Sequence, residues 1–97
     1  MADTREKLMD MMAENLPVLR KKLKLSQESL AKIMGSSRHT VMLIETKKRK
    51  MTWNTFLSLV LLFDKNDETA PLLRALDIYT TELDNIIKNG PDAEMSL

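Results

Sequence analysis

The sequence predicts an all-α fold, and three observations predict it. Two glycines and three prolines in 97 residues are too few for the many tight turns of a β-protein. Hydrophobic residues make up 43%, enough to build a core. The apolar residues recur mainly at spacings of three and four, and Met, Leu, Lys and Glu, all good helix formers, are abundant. The length fits one domain. The expected architecture is a compact bundle of about five helices, with a further helix at the N-terminus.

The elements follow in order. Residues 4–14 form an N-terminal helical extension, with Leu8, Met11 and Met12 on one side. Thr4 is followed by Lys7 rather than Glu, so no capping box defines its start. Pro17 cannot sit deep in a helix but suits a first turn. A break is therefore expected at Asn15, which caps a second helix ending near Leu23. Ser26 caps the next helix, whose stripe is Leu30, Ile33 and Met34 and which Gly35 ends. Ser37 caps the one after it, in which Val41 and Ile44 face the same way. "TKKRKM" reads as a loop. Thr52 then caps a strongly apolar helix, with Trp53, Phe56, Leu57, Val60, Leu61 and Phe63 expected on a wide buried face.

After the loop "DKNDE", Thr69 and Pro71 start a last helix that should run to about Asn89, before Gly90-Pro91. Its residues Leu72, Leu76, Tyr79, Leu83 and Ile86 are spaced as a heptad seam. Two readings stay open for that seam: a helix lying on its own domain, or a dimerisation helix. The expected organisation is an extension at 1–14, a central domain at 15–64, a C-terminal helix at 65–90 and a disordered tail at 91–97.

Net charge is only +1, but it is unevenly spread. Residues 18–50 hold ten Lys and Arg against two acids, Glu28 and Glu45, so this stretch carries +8 and the rest of the chain −7. A basic middle of this kind suits phosphate. The absence of cysteine excludes disulfides and thiolate metal sites, and a single histidine supplies a transition metal poorly. No metal and no cofactor are expected. No apolar run approaches the roughly 20 residues of a membrane span. The charged opening "MADTREKLMD" has no apolar leader core, so a cytoplasmic protein is expected. No nucleophile–base pair, metal set or Gly-rich phosphate loop is visible, so no enzymatic activity is expected.

The two short helices joined by Gly35-Ser36-Ser37 have the layout of a helix-turn-helix. The stretch "LKLSQESLAKIMGSSRHTVMLIETKKRK" resembles the phage-repressor family (lambda repressor, Cro and XRE-type proteins). The matching positions are Leu25-Ser26-Gln27, Ala31, Gly35, Ser37-Arg38, Val41 with Ile44, and Glu45. The likeness spans about residues 15–63. It implies a lambda-repressor-like fold and a DNA-binding transcriptional regulator, expected to be a repressor acting as a homodimer on double-stranded DNA.

The resemblance assigns roles residue by residue. Arg38, His39, Met42 and Leu43 would face base edges in the major groove. Arg38 suits guanine O6 and N7, with a phosphate contact as its alternative role. Gln27, Ser37, Thr40, Lys47, Lys48, Arg49 and Lys50 would contact phosphates, although Ser37 is also a cap and a charge run is commonly just a solvated face. Arg20 and Glu45 would pair to tie the first helix of the motif to the recognition helix.

Four departures from the family pattern stand out. Lys24 and Lys47 occupy places where glycine is common, Ser36 replaces an apolar turn residue, and Met42-Leu43 replaces polar and basic side chains. That apolar pair could pack on thymine methyls. The alternative is a protein-interaction module, such as an antitoxin, whose helix-turn-helix mainly binds a protein partner.

Overall fold

The computed structural model describes residues 3–90; the tail expected to be disordered lies outside them, as do residues 1–2. Six helices follow in order: α1 (Thr4–Lys22), α2 (Gln27–Met34), α3 (Arg38–Glu45), α4 (Trp53–Lys65), α5 (Ala70–Ala75) and α6 (Thr81–Asn89). Among the described residues the only regular structure is helical, as the composition predicts.

The first correction concerns α1, which runs unbroken through Pro17 instead of restarting at Asn15. Leu8, Met12, Leu16 and Leu19 fall on one face and are all buried. A break at Asn15 would swing Leu16 and Leu19 off the face that Leu8 and Met12 occupy. An interior proline costs about 3 kcal/mol. Burying each large apolar side chain gains about 1.5–3 kcal/mol, so the leucine pair together outweighs it. Asn15 is no cap: its side-chain amide donates to the Met11 carbonyl at 2.8 Å, one turn back in the same helix.

Serine and threonine caps start α2, α3 and α4 where expected: Ser26, Ser37 and Thr52 each accept the backbone N–H three residues on. Four helices end alike. A residue with positive φ follows the last turn, and the next N–H reaches back five residues to a helix carbonyl. The positive-φ residues are Lys24, Gly35, Lys47 and Asp77. The closing bonds are Leu25 to Arg20, Ser36 to Ala31, Lys48 to Leu43 and Ile78 to Leu73. Lys24 and Lys47 thus hold a left-handed backbone that glycine adopts most easily.

The core gathers α1, α2, α3 and α4 around Met12, Leu16, Leu19, Leu30, Ala31, Val41, Ile44, Phe56, Leu59 and Phe63. On α4 the stripe is Phe56, Leu59, Val60 and Phe63. Leu61, expected inside, is 62% exposed because it falls off the stripe, and Leu59 takes the inward position. Trp53 is half-buried and stacks on Phe56 at 4.8 Å between ring centroids. Thr69, fully buried, closes the turn from α4 to α5 by donating its hydroxyl to the Phe63 carbonyl at 2.6 Å.

The second correction is at the C-terminal end. The expected single helix from Pro71 to Asn89 is two, broken by the turn at residues 76–80. Leu73, Ile78 and Leu83 are all fully buried, and successive intervals of five place them on no common face of one helix. Breaking the helix lets all three reach the core. Thr80 caps α6, accepting the Leu83 N–H at 3.2 Å. The heptad seam is therefore not continuous. Leu83 and Ile86 are buried, while Leu72, Leu76 and Tyr79 are half-buried against the core.

Candidate nucleic-acid interface

The face in question is built on α3. Val41 and Ile44 pin the helix inward, packing on α1 and on the Leu30–Ala31 side of α2. That leaves 38 with 42, and 39 with 43, as two adjacent rows one turn long on the outer side. Arg38 and His39 are exposed, and Met42 and Leu43 half-buried. The apolar pair is thus neither core nor fully exposed.

The helix is held at both ends. At its start, the Ser37 hydroxyl accepts the Thr40 N–H at 3.1 Å and lies 2.9 Å from the Thr40 hydroxyl. Its far end is fixed by Glu45, which joins three parts of the chain. Arg20 Nε meets Glu45 Oε2 at 2.7 Å, and Arg20 Nη2 donates to Oε1 at 3.1 Å. The remaining guanidinium nitrogen, Nη1, donates to the Leu25 carbonyl at 2.9 Å. Gln27 Nε2 donates to Glu45 Oε1 at 3.0 Å. The carboxylate therefore ties α1 and the first residue of α2 to the end of α3, and Arg20 adds the turn before α2. The pair expected between Arg20 and Glu45 is present and nearly buried, at 11% and 6% side-chain exposure.

Gln27, expected at a phosphate, spends one amide hydrogen on Glu45. The second hydrogen of its NH2 group remains for another acceptor.

The basic loop folds back under α3. The Leu43 carbonyl accepts from both the Lys48 and Arg49 N–H groups, at 2.9 and 3.2 Å. Thr46 turns its hydroxyl to the Met42 carbonyl at 2.9 Å. Arg49 Nη1 reaches the Thr40 hydroxyl at 3.2 Å. This links the loop to the first turn of α3, so Ser37, Thr40 and Arg49 form one chain of hydroxyls and a cation. Lys47, Lys48, Arg49 and Lys50 are all exposed.

Sequence reasoning overlooked three neighbours of this loop. Glu14 Oε2 lies 3.9 Å from Lys47 Nζ. Glu6 and Asp10 line a groove together with Lys47, Arg49 and Lys50. The signal was present as three acids spaced four apart on α1.

Of the seam residues, Tyr79 alone takes part in a separate polar cluster with Arg74 and Asp84. Tyr79 donates its hydroxyl to Asp84 Oδ1 at 3.0 Å, and the Arg74 guanidinium lies 4.6 Å over its ring. Burial, then the bond to Asp84, raises the phenol above its ordinary range. Hydrogen bonds from Lys88 and then Tyr79 hold the Asp84 carboxyl below its own.

No helix among the described residues is long and apolar enough to cross a membrane. No protein-family model matches the chain, and no match was found among curated proteins or solved structures.

Proposed function

We propose that the protein is a sequence-specific DNA-binding regulator of the phage-repressor type, acting as a homodimer and most simply as a repressor. The observation that carries this reading is the joining of α3 to its basic loop. Arg38 and His39 stand on the outer face of a helix braced at both ends, and Arg49 is hydrogen-bonded to its first turn. Such a helix enters the major groove with its N-terminal residues at base edges, while flanking cations grip the backbone. Arg38 is the polar reader, and Met42 and Leu43 offer an apolar surface to thymine methyls. One domain of this size makes few base contacts, so two copies on a two-fold site are needed for specificity.

Fluorescence anisotropy with duplexes selected from a random library, run over a salt series beside a random-sequence control, tests the reading. Affinity should fall steeply with salt. Arg38→Ala should change the preferred sequence, whereas Lys48→Ala should weaken all duplexes alike. Absence of binding to any duplex, or binding indifferent to salt, overturns it.

A second reading, a module whose main contact is a protein, draws on half-buried Met42 and Leu43 and on exposed Ile33 and Leu61. An antitoxin would combine both contacts. Co-purification from the native host separates the two.

A further inference from the structure

We propose that Glu6, Asp10 and Glu14 form an intramolecular competitor for phosphate, restraining the basic loop after α3 and lowering the protein's affinity for any polyanion. Its biological sense rests on the DNA-binding reading; its physical content is an interaction within the chain.

The three acids are spaced four apart, so they share one face of α1. Like charges at that spacing slightly destabilise a helix on its own, so cations nearby are favourable to the stripe. The loop supplies them. Glu6 and Asp10 face Lys47, Arg49 and Lys50 across a groove floored by Met9, Ala13 and Met51, and Glu14 approaches Lys47 to 3.9 Å. The 3.9 Å approach of Glu14 to Lys47 falls well inside the roughly 10 Å screening length at 0.1 M salt.

A phosphate arriving at the loop must draw its cations away from these carboxylates, and those carboxylates repel the phosphate directly. The restraint acts on the sequence-independent part of binding, which every duplex shares. The base contacts of α3 are then left to decide which sites are held.

The test compares two triple variants with the same change in net charge. E6Q/D10N/E14Q removes the stripe. D67N/E68Q/E82Q neutralises three exposed acids that form no ion pair within 4.0 Å among the described residues. Circular dichroism checks that both fold, and E14Q alone serves as a milder variant. Elution from heparin, a polysulfated polyanion, reads cation availability without assuming DNA.

The stripe variant should elute at distinctly higher salt than the control triple, with E14Q shifting the same way by less. Random-sequence duplex should bind the stripe variant at least about threefold more tightly than the control triple, the scale of exposed ion pairs. Equal shifts for the two triples, in heparin or duplex, overturn the restraint and leave the DNA reading intact. A later heparin elution with no duplex bound by any variant overturns the DNA reading and leaves the restraint standing.

Discussion

Cutting the Arg20–Glu45 junction should remove a large share of the stability of the fold that presents α3. Glu45→Ala removes the acceptor of two Arg20 bonds and of the Gln27 amide, leaving Arg20 only its bond to the Leu25 carbonyl. The Arg20 side chain is 11% exposed, so water cannot replace most of what is lost. Breaking a buried pair in this way costs about 3–5 kcal/mol. A domain of this size has about 5–15 kcal/mol in total, so the loss is a large fraction of its stability. In a thermal melt it corresponds to a fall of at least about 12 °C, at about 4–8 °C per kcal/mol.

The double variant Arg20→Met/Glu45→Met discriminates between mechanisms. It leaves no buried charge behind, so it should lie within about 1 kcal/mol of the parent and be more stable than Glu45→Ala or Arg20→Met alone. Urea unfolding followed by circular dichroism measures all three at 0.1 M and 1 M NaCl (~10 and ~3 Å screening lengths). The cost of the single changes should barely respond to salt, because a buried pair is screened little. Single variants that lose under about 1 kcal/mol, a double variant that loses the sum of the two, or a cost that vanishes at high salt would each refute the reasoning.

Thr69→Val keeps the shape but strands the buried Phe63 carbonyl, and equilibrium unfolding should show a loss of about 1–3 kcal/mol. Lys24→Gly should be mildly stabilising, by less than about 1 kcal/mol: relief of roughly 1–2 kcal/mol of left-handed strain at φ 59 outweighs the added freedom of the unfolded chain and the lost cation at the helix end, and a lower urea midpoint would contradict it. The Tyr79 phenol, titrated by its ultraviolet absorbance, should ionise above its ordinary 10.0. Since the neutral phenol is the form favoured on folding, its contribution is complete below that ordinary value and disappears as pH rises through the raised one. Asp84→Asn should bring the midpoint down only in part, burial being the larger cause; a wild-type midpoint at or below the ordinary value would contradict the contact.

What could be read from the sequence was local and periodic. Ser26, Ser37 and Thr52 were legible as caps because each precedes an apolar stripe, and Gly35 as a terminator because it sits just past one. The helix-turn-helix layout followed from those signals together. Both errors of helix extent came from tertiary demand. Pro17 is a strong local breaker, and only the shared burial of Leu8, Met12, Leu16 and Leu19 overrules it. At residues 72–86 a regular heptad spacing hid the fact that Ile78, outside the heptad, needs the core as much as Leu83 does. A local clue was available there: Thr80 is followed by Glu82 and Asp84, the cap and acidic first turn of a new helix. Within the candidate site, the Arg20–Glu45 pair was legible only through resemblance. The closeness of Glu6, Asp10 and Glu14 to the loop depends on how α1 lies along α3 and α4, which no local pattern encodes.

The non-glycine turn residues show how local cost and charge are reconciled in this fold. Lys24, Lys47 and Asp77 all hold left-handed backbone, at φ values of 59, 60 and 57°. Asp77 is the type of residue that tolerates it, a short polar side chain being able to bond locally. The two lysines have no such excuse, but each stands just past a helix C-terminus, where a cation meets the negative end of the helix dipole. That attraction, about 0.3–1 kcal/mol, offsets part of a strain of about 1–2 kcal/mol. The remainder is the cost of a cation where glycine would be easier, and at Lys47 that cation begins the loop under α3. A glycine there would relax the turn and remove one of four consecutive charges from the surface proposed to meet phosphate. Stability and phosphate affinity should therefore move in opposite directions at this one position, whereas at a merely structural turn they would move together.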